Sequence, residues 1–352
     1  MNQVLAEPKP LGVIDVITAG FELVRRRPWT LLIPILLDAI IWFLPRVTLG
    51  PILVPGVQGY FDAQLAAGNL TPEMTASLQQ GREAALQLAS SLNLFGLVLS
   101  VANLTAHLPS LMAPSILGMM LTGSGMVDVR SPLTTLAYTI QLNSEGLALL
   151  LFVPLFLLAL FGSAIYAEWI AQGVRPLVKE SSTAWLVRAS MLWLRLIGLS
   201  LILAVIFFAS SFLLGAVQFV APAGTDIGSF IAALVLVGWL WVAIYFFFTV
   251  SGMAVSNLAL FTAIQRSVLV FRIFFWPSLL LIGLTAFLGE GLALIWRALT
   301  VDPFGILLGI AANAFIGTSL FAASMVFYQD RMNAVERMIA RARSMSRTGK
   351  NS

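Results

Sequence analysis

Three carboxylates stand where a charge is costly. Asp38 interrupts the run "LLIPILLDAI", Glu290 sits within "LGEGL", and Glu168 closes the apolar stretch that begins near residue 146. An unpaired ion at membrane depth costs about 3 kcal/mol, so such residues are candidates for function by default. Asp38 and Glu290 together could relay a proton or cation, or meet as an acid pair for intramembrane chemistry. Alternatively, each is held by an arginine or a backbone N–H inside a bundle. Arg297, two helical turns beyond Glu290, is one such cation. Glu168 is expected near the inner end of its span, within reach of water.

Little else could carry chemistry. The chain has no cysteine, which excludes disulfides, thiolate metal sites and thiol nucleophiles, and a single histidine, His107, which excludes multi-histidine metal centres. His107 alone could ligate a group, or serve as a hydrogen-bonded structural residue. No phosphate-binding loop, zinc-protease motif, dinucleotide fingerprint or nucleophile elbow is present. "GSG" at Gly123–Gly125 reads as a flexible turn. The expectation is therefore a chain with no catalytic residues, no cofactor and no metal.

The elements that must position these acids are membrane spans. Of 352 residues, 59% are hydrophobic and 10% charged, against about 25% charged in a soluble domain. Six stretches are long and apolar enough to cross as helices: 29–46, 146–169, 196–220, 228–250, 274–296 and 304–327. With the N-terminus inside, 16 of the 20 lysines and arginines fall on the inner side. Only Arg46, Arg82, Arg130 and Arg297 fall outside, in accord with the positive-inside rule. Both termini are then cytoplasmic. Residues 94–121 are also apolar, but Pro109 and Pro114 break them. A single crossing there would reverse every later loop, so the stretch is read as a hairpin lying on, dipping into or twice crossing the membrane, or as part of a small folded outer domain.

Three stretches repeat: "GFELVR" (Gly20–Arg25), "SMLWLR" (Ser190–Arg195) and "SVLVFR" (Ser267–Arg272). Each is a small residue, four mostly apolar residues and an arginine before a span. Upstream of the first, Val13, Ile14, Ile17, Phe21 and Val24 share one helical face. Asp15, Thr18, Glu22 and Arg25 share the other, a spacing that suits a helix in the membrane interface. Thr262, Gln265, Arg266 and Arg272 mark the polar side of the third. Arg195 and Arg272 stand 77 residues apart, and the longer interval after Arg25 closes to that value once the outer insertion is removed. The fold expected is all-α and integral to the membrane. It has six transmembrane helices in three repeats, each an in-plane amphipathic helix plus a transmembrane hairpin. A helical extracytoplasmic insertion interrupts the first hairpin.

This layout, with a small residue and an arginine before each span, resembles bacterial membrane domains of the glycerophosphodiester-phosphodiesterase-associated type and related uncharacterised families. The resemblance covers the three elbows and not the insertion. It implies the bacterial cytoplasmic membrane and no defined activity, since no phosphodiesterase domain is present.

The chain reads as one polytopic domain over 1–352, with the insertion at 50–143 and a basic cytoplasmic tail at 329–352. In the insertion, Thr71 caps a helix, Pro72 and Glu73 open it, and Met74, Leu78, Ala85, Leu88 and Leu92 share a face. The helix would serve as a lid, a docking surface or a structural cap. In the tail, Arg337, Arg341 and Arg343 beside Met338 and Ile339 suit anionic lipid headgroups rather than nucleic acid. Gly305, Gly309, Asn313 and Gly317 line one face of the sixth span for close helix packing, against this chain or a partner. Two functions follow. One is a non-enzymatic subunit or scaffold contacting lipids or a membrane-protein partner. The other is a transporter or lipid-handling protein working through Asp38 and Glu290.

Overall fold

The structure, a computed structural model, describes residues 10–66, 71–113, 139–175, 182–220, 227–299 and 302–348. Among them the chain is almost wholly helical. The N-terminal part holds α1 (Val13–Arg26), a 3-10 turn (Pro28–Leu31), α2 (Leu32–Phe43) and strand β1 (Val47–Thr48). The stretch expected to be the insertion, 50–143, holds α3 (Gly50–Ala66), α4 (Pro72–Ser91), α5 (Leu94–Ala106) and strand β2 (Ile140–Gln141). The remainder is α6 (Glu145–Val174), α7 (Ser182–Val220), α8 (Ile227–Phe246), α9 (Thr249–Val255), α10 (Leu260–Ile273), α11 (Phe275–Ala298) and α12 (Pro303–Thr348).

Five helices are long and apolar enough to cross a membrane: Glu145–Val174, Thr183–Val217, Phe230–Val255, Phe275–Ala298 and Pro303–Arg341. The stretch expected to span at 29–46 forms a shorter apolar helix, Pro28–Phe43. Its rise of about 24 Å falls short of the ~30 Å hydrocarbon core. Prolines set both ends of that helix. Arg27 precedes Pro28 with φ −131° and ψ 62°, and Leu44 precedes Pro45 with φ −73° and ψ 151°. A residue before proline is driven out of the helical region, so the chain bends at each.

The long helix α12 is the axis of the molecule. It runs 46 residues, about 69 Å at 1.5 Å per residue, and the span windows make its Pro303–Arg341 portion the most buried of the five. Helix α11 packs along it in the opposite direction, from Phe274 beneath the Arg331 guanidinium (5.0 Å) to Trp296 beside Gly309. Helix α1 does the same. Leu11 N donates to Asp330 Oδ2 (3.1 Å), Arg331 Nη2 donates to Leu11 O (2.8 Å), and Phe21 meets the Phe315 ring edge-on at 5.6 Å. Helix α1 therefore lies lengthwise on α12 instead of standing apart as a surface helix. Its buried residues are Val16, Gly20 and Val24, while Ile14, expected on the apolar face, is 75% exposed.

Two of the three expected elbows share a geometry. Helices α1 and α10 are each 14 residues long, and each ends in a residue of similar backbone conformation, Arg27 and Phe274 (φ −113°, ψ 47°). The small residue of each motif is fully buried. Gly20 lies against Ser319 O and Ala323 N of α12, and Ser267 Oγ donates to Tyr245 O (2.6 Å) and accepts from Phe248 N (3.1 Å). The second motif departs from this. Helix α7 is continuous from Ser182 to Val220, so Arg195 marks no elbow. Its Nη1 instead donates to Asn257 Oδ1 (2.7 Å). Asn257 has a positive φ of 50°, a conformation asparagine tolerates better than most residues.

The ends of the insertion meet at its base, where Val47 pairs with Ile140 and Thr48 with Gln141 in parallel. Thr71 Oγ1 accepts from Met74 N (3.3 Å) and caps α4 as its sequence indicates. Helix α4 packs on α3, with Arg82 paired to Asp62 (2.9 Å) and Phe61 against Gly81. Helix α3 had no expectation from periodicity. Residues 114–121 of the expected hairpin, and Gly123–Gly125, lie outside the described residues.

Candidate functional site

Two buried clusters gather the acids singled out in the sequence. The first forms where α5 carries the chain into the bundle. Asn93 Oδ1 accepts from Phe95 N (3.3 Å) at the start of α5, and the helix stops at His107, in the left-handed region with φ 48°. There the imidazole lies between the rings of Phe247 (5.4 Å) and Phe321 (5.7 Å). The following residues Leu108, Leu111, Met112 and Ala113 are buried, at 6% exposure or less. This non-helical backbone is wedged between α2 and α12. A Cβ on Gly317 would collide with Pro109, and one on Gly309 would come 3.1 Å from Leu111.

Asp38 clamps the wedge. Its side chain is fully buried in the middle of α2, where it accepts from Ser110 Oγ, Leu111 N (2.8 Å) and Met112 N (3.3 Å). Ser110 Oγ in turn accepts from Ala113 N (2.9 Å). Irregular backbone at this depth has N–H groups that no helix satisfies, and the carboxylate satisfies two of them. Arg297 lies within electrostatic reach of both Asp38 and Glu290. Glu290 and Arg297 are both half-buried on α11.

The second cluster is at the C-terminal end of α6. Glu168 is 1% exposed, so it does not reach water as expected. Arg175, the extended residue that follows the end of α6, donates to it twice (Nη1 to Oε1 2.8 Å, Nη2 to Oε2 2.7 Å). Arg188 of α7 completes an ion pair at 3.4 Å. Arg175 also donates to Val255 O (3.1 Å) and Ala254 O, at the last turn of α9. The network thus ties α6, α7 and α9 together. Nearby, Tyr166 OH donates to Thr318 Oγ1 (3.1 Å) and its ring stacks on Phe321.

The remaining candidates are dispersed. Arg25 is exposed and pairs with Glu22 (2.8 Å), and Arg272 is exposed at the end of α10. Gly305, Gly309 and Gly317 abut Leu299, Trp296, Leu111 and Pro109 of this chain, and Asn313 is 8% exposed, so that face is occupied from within. Among the described residues no three His, Asp or Glu side chains gather to hold a metal. Sequence reasoning missed Ser110, Arg175, Arg188 and Arg331. Arg175 reaches Glu168 from the extended residue beyond the helix end, and the other contacts cross between distant segments, so none left a periodic signal.

No protein-family model, curated protein or solved structure matches the chain.

Proposed function

We propose that this multipass membrane protein is a non-enzymatic subunit or scaffold of a bacterial cytoplasmic membrane that contacts lipids or a membrane-protein partner. Six crossings with both termini in the cytoplasm, the short α2 among them, put the arginine-rich ends inside and the insertion outside. A likeness to the glycerophosphodiester-phosphodiesterase-associated membrane domains, with a 14-residue helix ending just before an apolar helix at α1 and at α10, belongs to this reading. So do lipid contacts along the basic tail. One observation carries it: the deepest carboxylates, Asp38 and Glu168, are engaged by backbone amides, a hydroxyl and arginines that hold segments together. A transport acid must exchange its partners during a cycle. These acids are instead the anchors of the fold.

A transporter or lipid-handling protein is the second reading, favoured by the electrostatic reach of Arg297 to both Asp38 and Glu290. Purification in native nanodiscs followed by identification of stoichiometric companions tests the first. Recovery of a defined membrane-protein partner supports it, and a bare chain carrying one small solute counts against it. Reconstituted vesicles bearing Asp38→Asn or Glu290→Gln separate the two: loss of flux at unchanged stability establishes transport.

A further inference from the structure

Helices α1 and α11 flank α12 over one stretch and run in the same direction. Both begin at Arg331, whose guanidinium donates to Leu11 O (2.8 Å) and lies over the Phe274 ring (5.0 Å). Further along, Gly20 abuts Ser319 and Ala323, and a Cβ on Gly289 would lie 3.9 Å from Leu320. Gly20 and Gly289 are therefore level to within about one helical turn. Beyond Gly20 the outward face of α1 is charged: Arg25 and Arg26 pair with Glu22, and their side chains are 75% exposed. At the same depth α11 turns Phe287, 74% exposed, to its surroundings, and Trp276 and Leu280 are exposed nearer its start. From this contrast we infer that the headgroup layer of the inner leaflet dips along α1 to the level of the middle of α11, where hydrocarbon covers α11.

Ionised side chains are costly among acyl tails and stable among headgroups. Helix α11 is long and apolar enough to span, and Gly289 sits near its middle. Arg26 stands six residues beyond Gly20, about 9 Å farther from the Arg331 end. One bilayer of uniform depth cannot suit both faces, so its inner boundary must differ around α12. The next element supports this independently. The apolar helix Pro28–Phe43 is about 24 Å long, against about 36 Å for α11. Trp42 at the far end of the first packs with Ile306 and Ile310, and Trp296 near the end of the second lies beside Gly309, so their outer ends are level. The shorter helix therefore starts about 12 Å deeper. Exposed Trp29 follows the arginines directly, the residue type enriched at a membrane interface. The inference rests on the proposed crossings, in which α2 and α11 both enter from the cytoplasm.

The test labels single cysteines in the full chain, which has none of its own, with a membrane-impermeant maleimide in sealed inside-out vesicles. Arg26→Cys should label. Phe287→Cys, closer to the cytoplasmic end of its helix, should label about tenfold more slowly or not at all, because a thiol in apolar surroundings stays protonated and the thiolate is what reacts. Both positions are exposed, so neither variant disturbs the core. Met338→Cys and Thr71→Cys report the crossings separately: the first should label in these vesicles and the second only after permeabilisation. Failure of that pair removes the crossing reading and the inference together. With the pair as expected, protection of Arg26→Cys, or labelling of Phe287→Cys at the same rate, overturns the inference alone. Protection of Arg26→Cys in native vesicles that disappears in vesicles of pure phospholipid also overturns it, and assigns the α1 face to a protein partner.

Discussion

Asp38 and Glu22 are both acids that accept two or more hydrogen bonds, yet their environments give them opposite weight. Asp38 faces two backbone N–H groups that have no helical partner. Asn at that position can offer them its oxygen but must also present an N–H. Hydrogen bonds to a charged group contribute about 1.5–3 kcal/mol each way of counting, so Asp38→Asn should lower the thermal midpoint in detergent by several degrees. Ser110→Ala should lower it too, because one contact to the carboxylate goes and Ala113 N loses its acceptor. For Glu168→Gln the loss should be larger, about 3 kcal/mol, since Arg175, only 13% exposed, loses its counter-ion and keeps just two backbone carbonyls. Adding Arg175→Gln should recover part of that loss, a double-mutant cycle readable by denaturation. Glu22 differs. Hydrogen bonds from Arg25 and Arg26 hold its carboxyl down to about 2. Its contribution is therefore present above the ordinary carboxylate range and is lost only as pH falls toward 2. The arginine partners are 75% exposed and solvent screens the pairs. Glu22→Gln should leave the midpoint unchanged.

At the scale of elements, the question is what keeps α1 on α12. Gly20 is the answer that packing gives: a Cβ there would press on Ser319 O and come 2.7 Å from Ala323 N, backbone atoms that cannot turn aside. Gly20→Ala should therefore cost about 1–3 kcal/mol by forcing the helices apart. Gly215 in α7 has open space around its Cβ position. Gly215→Ala should be neutral or stabilising by up to about 1 kcal/mol, because alanine loses less backbone freedom in a helix. Thermal unfolding of the two variants side by side checks the pair, and equal effects would refute the close contact. The stitch of Leu11 to Asp330 and Arg331 adds direction to this packing. The Arg331 guanidinium also lies over the Phe327 ring at 4.7 Å, which links α1, α12 and the Phe274 elbow in one cluster.

For the whole molecule, the length of α12 constrains how the chain sits in a bilayer. A helix of about 69 Å cannot lie within a ~30 Å core, so its basic end extends beyond the apolar layer as a continuation of the last span. The α7–α8 hairpin has the opposite character. The apolar window in Phe230–Val255 has none of its residues buried, and that in Thr183–Val217 has 11%. Such a surface is stable against lipid tails or another apolar helix. The absence of native cysteine permits a direct test of topology. Single cysteines at Thr71 and Met338 should label from opposite sides of sealed vesicles; labelling of both from one side would overturn the proposed crossing count.

The amino-acid sequence by itself determined that this is a helical membrane chain, because apolar runs of 20 residues and a scarcity of charge are properties of composition and order. It also determined the cap at Thr71 and the candidacy of Asp38, both of which follow from local chemistry. Its periodicity marked the small residue of each motif but could not say that Gly20 and Ser267 are buried against a neighbour while the stretch ending at Arg195 runs on as helix. That depends on what lies beside each stretch. The tertiary structure alone decided that Asp38 meets residues 110–112, more than 70 positions away, and that Glu168 is sealed by arginines. It also set α1 along α12. Partners brought together by long-range packing leave no periodic trace, so burial and pairing of these charges had to be seen in three dimensions.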